Sequence, residues 1–155
     1  MTRDLTLEDF VAGDRWVGEE EILVTPEEIM AFAREYDPQP FHIDPELART
    51  TPIGQFCQSG WQTAAYTMKL LTRTMGFLGI IGGTIHMSWP TPTLPGDRLH
   101  VELEVVSVRE SKTKPDRGVV ELSYDTLNQA GEVRQHTETT IIAWKRENRA
   151  TADTE

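Results

Sequence analysis

Hydrophobic positions change their period along this chain, from intervals of three and four in the first half to alternation in two later runs, and the change separates helices from strands. Ile29, Phe32, Ala33 and Tyr36 recur at helical spacing. Thr25, with Glu28 three residues on, reads as a capping box, and Pro26 suits a first helical position, so a helix starts there with one face toward a core. Asp44-Pro45-Glu46-Leu47-Ala48 repeats the cap-then-proline signature and predicts a single helical turn. From Ser59-Gly60 onward, Trp61, Ala64, Ala65, Met68, Leu71 and Met75 mark a longer helix that ends near Gly76. The small residues in its stripe permit close approach to a sheet.

Two later runs alternate, Val101, Leu103 and Val105 against Glu102 and Glu104, then Val120, Leu122 and Tyr124 against Glu121, Ser123 and Asp125. Strands are predicted over Ile80 to Trp89, Arg98 to Val108, Val119 to Leu127 and Val133 to Trp144, with a turn at Asn128-Gln129-Ala130-Gly131. Arg15 to Val24 is expected as a further strand feeding the first helix, behind a lead-in of residues 1–13. The pattern makes an α+β chain in which an antiparallel sheet wraps around one long central helix. Residues 1–147 form one domain in this reading, and 148–155 a polar tail without order. A sheet of this kind has free edges, commonly covered by a second copy, so a homodimer or higher oligomer is expected.

Bulk properties narrow the class. The 155 residues suffice to bury roughly 70% of the surface of the unfolded chain. No apolar run reaches membrane-spanning length, the N-terminus is too acidic for a signal peptide, and Cys57 is the sole cysteine, so no membrane association, no internal disulfide and a cytoplasmic address are expected. Cys57 itself reads as a small buried residue. Residues 1–46 hold 13 of the 25 acids and three of the 15 bases, which accounts for the entire net charge of −10. Global charge argues against nucleic acid. A local basic group remains at Lys112, Lys114 and Arg117, between two predicted strands, either as an ordinary solvated turn or as an anion site.

Candidate chemistry follows the first helix. Asp37 precedes Pro38, and Pro40 comes two residues before His42, so a carboxylate and an imidazole are joined by a short, proline-stiffened loop. Such a pair suits general acid/base work. His42-Ile43-Asp44 also fits loosely a non-haem iron site, but the segment lies between Pro40 and Pro45, and His86, His100 and His136 read as strand side chains. Asp44 is better explained as an N-cap, and no metal is expected.

Tyr36-Asp37-Pro38-Gln39-Pro40-Phe41-His42-Ile43-Asp44 resembles the hydratase motif of MaoC-like dehydratases and R-specific enoyl-CoA hydratases, in which Asp, Pro and His recur at this spacing, with Asn usual where Gln39 stands. The Ser59-Gly60 turn, the Pro95-Gly96-Asp97 run and the late strands follow in that family's order. The resemblance implies a hot-dog fold and reversible syn addition of water to a trans-2-enoyl thioester, with no cofactor beyond coenzyme A or an acyl carrier as part of the substrate. It assigns catalysis to Asp37 and His42, and thioester oxygen binding to the backbone at Gly60 and Trp61, where Gly60 would let the substrate approach. Gln39 and Pro40 would position the loop, Lys112, Lys114 and Arg117 would contact CoA phosphates, and Phe41, Phe56, Trp61 and Met68 would wall an acyl pocket. A hot-dog thioesterase is the enzymatic alternative, disfavoured because Leu47 to Gly96 contains no carboxylate. The other alternative is a subunit that binds acyl thioesters without turning them over.

Overall fold

Proline and capping residues set where the helices begin. In the computed structural model, which describes residues 5–76 and 81–148, helix α1 spans Pro26–Tyr36 and buries Ile29 and Ala33. Thr25 Oγ1 accepts the Glu28 N–H, but Glu28 does not return the bond: its Oε2 accepts from the Tyr66 hydroxyl instead. Pro40–Ile43 forms one helical turn, α2, where a plain loop was expected, because Pro40 supplies a ready-made first position. Pro45–Ala48 makes α3 as predicted, with Asp44 Oδ1 accepting from the amides of Glu46 and Leu47. Helix α4 runs Gly60–Met75.

The sheet has six strands, all paired antiparallel: β1 (Arg15–Val17), β2 (Ile22–Leu23), β3 (Ile81–Ser88), β4 (Arg98–Glu110), β5 (Arg117–Leu127) and β6 (Val133–Trp144). Their order is β1-β4-β5-β6-β3, and β2 also pairs with β4. The strand expected over Arg15 to Val24 is therefore broken. Val17 faces Glu102 and Ile22 faces Leu99, so the Gly18–Glu21 segment carries extra residues and bows away from β4. Three consecutive glutamates favour solvent there, and a Cβ at Gly18 would stand 2.7 Å from Thr74 Oγ1. Arg117, expected in the turn, begins β5. The predicted start of β3 at Ile80 and the tail 149–155 lie outside the described residues, while Arg146–Asn148 closes the described chain with a short 3₁₀ turn.

The core sits between α4 and the concave side of the sheet in two clusters. Leu71 and Met75 pack with Val105, Val120, Leu122 and Ile141, and the lead-in adds Leu5, Leu7 and Phe10. Leu70 packs with Val24, Ile29, Leu99 and Val101. Toward its N-terminus α4 presents a different face from the predicted one. Gln62, Thr63 and Thr67 are buried, while Trp61 and Met68 are 61% and 40% exposed. The reason is the polar end of the sheet beneath them. Thr67 Oγ1 is 2.6 Å from Thr126 Oγ1, and Thr63 Oγ1 lies 2.8 Å from Gln58 Oε1 and 3.0 Å from Thr93 Oγ1, so these hydroxyls enter satisfied. The apolar stripe of the first half of α4 is left facing outward.

Candidate active site

Three segments meet at the N-terminus of α4. Asp37 is the C-cap of α1; its N–H still donates to Ala33 O, and Pro38 turns the chain away. His42 sits in α2, and Cys57 to Ser59 lead into α4. A backbone strap joins the last two: the Cys57 N–H donates to Phe41 O at 3.0 Å, and His42 Nδ1 stands 2.6 Å from Cys57 O. A carbonyl can only accept, so Nδ1 carries a proton, and Nε2 is the ring nitrogen turned toward Asp37. That nitrogen lies 3.4 Å from Asp37 Oδ2, with the two side chains only 7% and 17% exposed. The edge-on ring of Phe41 abuts His42, centroid to centroid 4.5 Å.

The Asp37 carboxylate is held from both sides. Gln39 Nε2 donates to Oδ1 and Ser59 Oγ to Oδ2, each at 2.7 Å. Ser59 is also the N-cap of α4, accepting the Trp61 N–H at 3.3 Å, so one hydroxyl fixes both the helix start and the acid. The positive end of the helix dipole favours a carboxylate at this place. With the Trp61 amide turned to Ser59 Oγ, the Gly60 N–H remains without a partner among the described residues. On the side where a side chain would point, the space at Gly60 is filled. A Cβ there would stand 2.7 to 3.0 Å from three atoms of the Trp89 indole, so Gly60 makes room for Trp89. Trp89 meets Trp61 edge-on at 5.6 Å.

The other predicted positions are dispersed. Pro40 opens α2, and Gln39 holds Asp37 directly. Phe56 packs against the Val24, Ile29 and Leu70 cluster, Met68 lies outside on α4, and Phe41 abuts His42. Lys112, Lys114 and Arg117 belong to the β4–β5 hairpin. This is the far end of a 13-residue strand from Asp97 and the start of α4, roughly 40 Å along it, so they do not join the pair within one protomer. Arg117 is bonded to Asp116 and lies 3.8 Å over the Trp144 ring. Sequence reasoning missed the Ser59 side chain, the Cys57 carbonyl and Trp89. It missed too the buried pair of Arg134 with Asp97, bonded at 2.8 and 3.1 Å, which pins the turn before β4. That turn supplies Thr93 O, which accepts the Gln58 N–H at 2.8 Å. Cys57 is buried as expected, and burial, with Asp37 nearby, pushes its thiol up to about 11.

An antiparallel sheet curled over one long helix is the hot-dog arrangement. The chain belongs to the MaoC-like dehydratase family: residues 10–127 match the MaoC like domain. It is similar to the MaoC-like dehydratase from Rhodospirillum rubrum, 47% identical over 92% of this chain and 98% of that one, with a TM-score of 0.86. The uncharacterized protein YdeM of Bacillus subtilis is 36% identical over 110 residues, 68% of this chain and 76% of YdeM. An (R)-hydratase from A. caviae involved in PHA biosynthesis shares the fold at 24% identity, with a TM-score of 0.69, covering 86% of this chain and 97% of that one.

Proposed function

We propose that this protein is an enoyl-thioester hydratase, adding water reversibly to a trans-2-enoyl-CoA or acyl-carrier thioester, with Asp37 and His42 as its acid/base pair. The observation that carries the reading is the His42 ring, tied at Nδ1 to Cys57 O, with Nε2 facing an Asp37 carboxylate clamped by Gln39 and Ser59. A water held between the two groups loses a proton to His42 Nε2 as its oxygen bonds to C3. The electron pair of the double bond passes through C2 to the thioester oxygen, whose charge the unpartnered Gly60 N–H and the α4 dipole stabilise. The proton moves from Nε2 across 3.4 Å to Asp37 Oδ2 and on to C2, which returns both groups to their starting state. One water is consumed, delivered to one face of the double bond, and no other cofactor takes part. Dehydration is the same path reversed.

The working unit in this proposal is a cytoplasmic homodimer or higher homo-oligomer. Trp61 and Met68 on α4 and Trp89 after β3 are exposed, Trp61 and Trp89 in contact, and β3 is an edge strand; a second copy would cover these features. Membrane attachment and nucleic acid play no part in it; no described helix is long and apolar enough to cross a membrane.

The test follows the loss of enoyl absorbance with a series of trans-2-enoyl-CoA substrates from crotonyl-CoA upward. Turnover should fall by at least about 10²-fold in Asp37→Asn and in His42→Ala, with folding and oligomeric state unchanged. Thioester binding equal in all three proteins, with no turnover in any, would instead identify a non-catalytic binding subunit.

A further inference from the structure

We propose that Trp89 is a positioning residue for the reaction above, setting the first turn of α4 and through it the Gly60 amide and the Ser59–Asp37 bond. The inference rests on the hydratase reading for its catalytic half and on geometry alone for the rest. Trp89 lies just past the end of β3 and is 40% exposed, an arrangement in which an indole would ordinarily move freely. Here two contacts hold it. Its Nε1–H donates at 2.9 Å to Oε1 of Gln135, a side chain 1% exposed whose Nε2 donates in turn to Thr137 Oγ1 at 3.1 Å. Its six-membered ring is pressed against Gly60 so closely that a Cβ there would overlap it, and its edge meets Trp61.

A line of fixed groups thus runs from the rigid strand β6 through Gln135 and Trp89 to the backbone of Gly60. Gly60 does not have the positive φ that would demand glycine for conformational reasons, so the close approach of Trp89 is what excludes a side chain. The first turn of α4 is restrained on one side by Ser59 bound to Asp37 and on the other by Trp89. Releasing Trp89 leaves the turn free to shift, and a displacement of about 1 Å at such a site costs on the order of 10²-fold in rate.

The experiment combines kinetics with glycine-selective ¹⁵N labelling of the full chain, the Gly60 signal being identified by its loss in Gly60→Ala. In Trp89→Ala and in the milder Trp89→Phe, which keeps a ring but loses the bond to Gln135, the Gly60 cross-peak should move while those of the remote Gly13 and Gly131 stay. kcat should fall toward 10²-fold in Trp89→Ala with KM little changed. Gly60→Ala should lose activity that Gly60→Ala/Trp89→Ala partly regains, since the added methyl then has room. An unmoved Gly60 signal, or a signal that moves with kcat intact, would overturn the proposal. A wild-type protein without turnover would bring down the hydratase reading instead, and the Gly60 signal would still decide whether Trp89 sets this turn.

Discussion

Replacing Ser59 by alanine tests the coupling between the start of α4 and Asp37. Ser59 Oγ makes a 2.7 Å bond to Asp37 Oδ2, one of the two side-chain donors on that carboxylate. A hydrogen bond to a charged group is worth about 1.5–3 kcal/mol. If the loss falls wholly on the transition state, kcat/KM drops about 10- to 100-fold, because each ~1.4 kcal/mol is tenfold. The same hydroxyl caps α4, but through a longer 3.3 Å bond to the Trp61 amide, and loss of such a cap costs about 1 kcal/mol. For a chain of this size that lowers Tm by about 2–4 °C. Ser59→Gly separates the two roles, since glycine in place of a capping serine costs only a few tenths of a kcal/mol. Hydration kinetics beside thermal unfolding should therefore show Ser59→Ala and Ser59→Gly equally slow but unequally stable. Wild-type kcat/KM in both variants would refute the argument, because Asp37 would then be held without Ser59.

Arg134→Met leaves Asp97 buried with only Asn128 Nδ2 and the Leu94 amide as partners, and urea unfolding should show a loss of about 3–5 kcal/mol, partly recovered in Arg134→Met/Asp97→Asn. A change under about 1 kcal/mol would show the pair to be dispensable. Because burial holds the Cys57 thiol up at about 11, it stays protonated at pH 8, and its labelling by a disulfide reagent should run only as fast as the site opens; the labelling rate should match exchange of the Cys57 amide. Met68→Glu places a charge on the exposed apolar side of α4, and for the proposed homodimer sedimentation should show a shift from dimer toward monomer with unchanged circular dichroism.

Local signals in this chain were legible where one element explains them. Thr25 and Asp44 cap the helices they were expected to cap, the alternating runs became β4 and β5, and Asp37 and His42 stand together because two prolines leave the connection little freedom. The expectation for α4 failed in an informative way. Periodicity put Trp61, Ala64, Ala65, Met68, Leu71 and Met75 on one face against the sheet, and Leu71 and Met75 are buried there, but apolar residues are buried only if something covers them, and the first half of the helix meets Thr93 and Thr126 instead. Threonine and glutamine therefore went inward, each hydroxyl with a partner, and the stripe was left for another surface.

The same separation explains what sequence reading could not assemble at the site. Ser59 was visible as a helix start and Asp37 as half of an acid/base pair, yet 22 positions separate them and no local pattern links a capping hydroxyl to a distant carboxylate. Gly60 was read as letting substrate approach, and no local signal showed that its missing side chain also makes room for Trp89, 29 positions later and fastened to β6. A glycine reports that something approaches its backbone closely, and only the fold says what. Here the approaching group is an indole held by Gln135, so precision at the start of α4 depends on a strand near the other end of the chain.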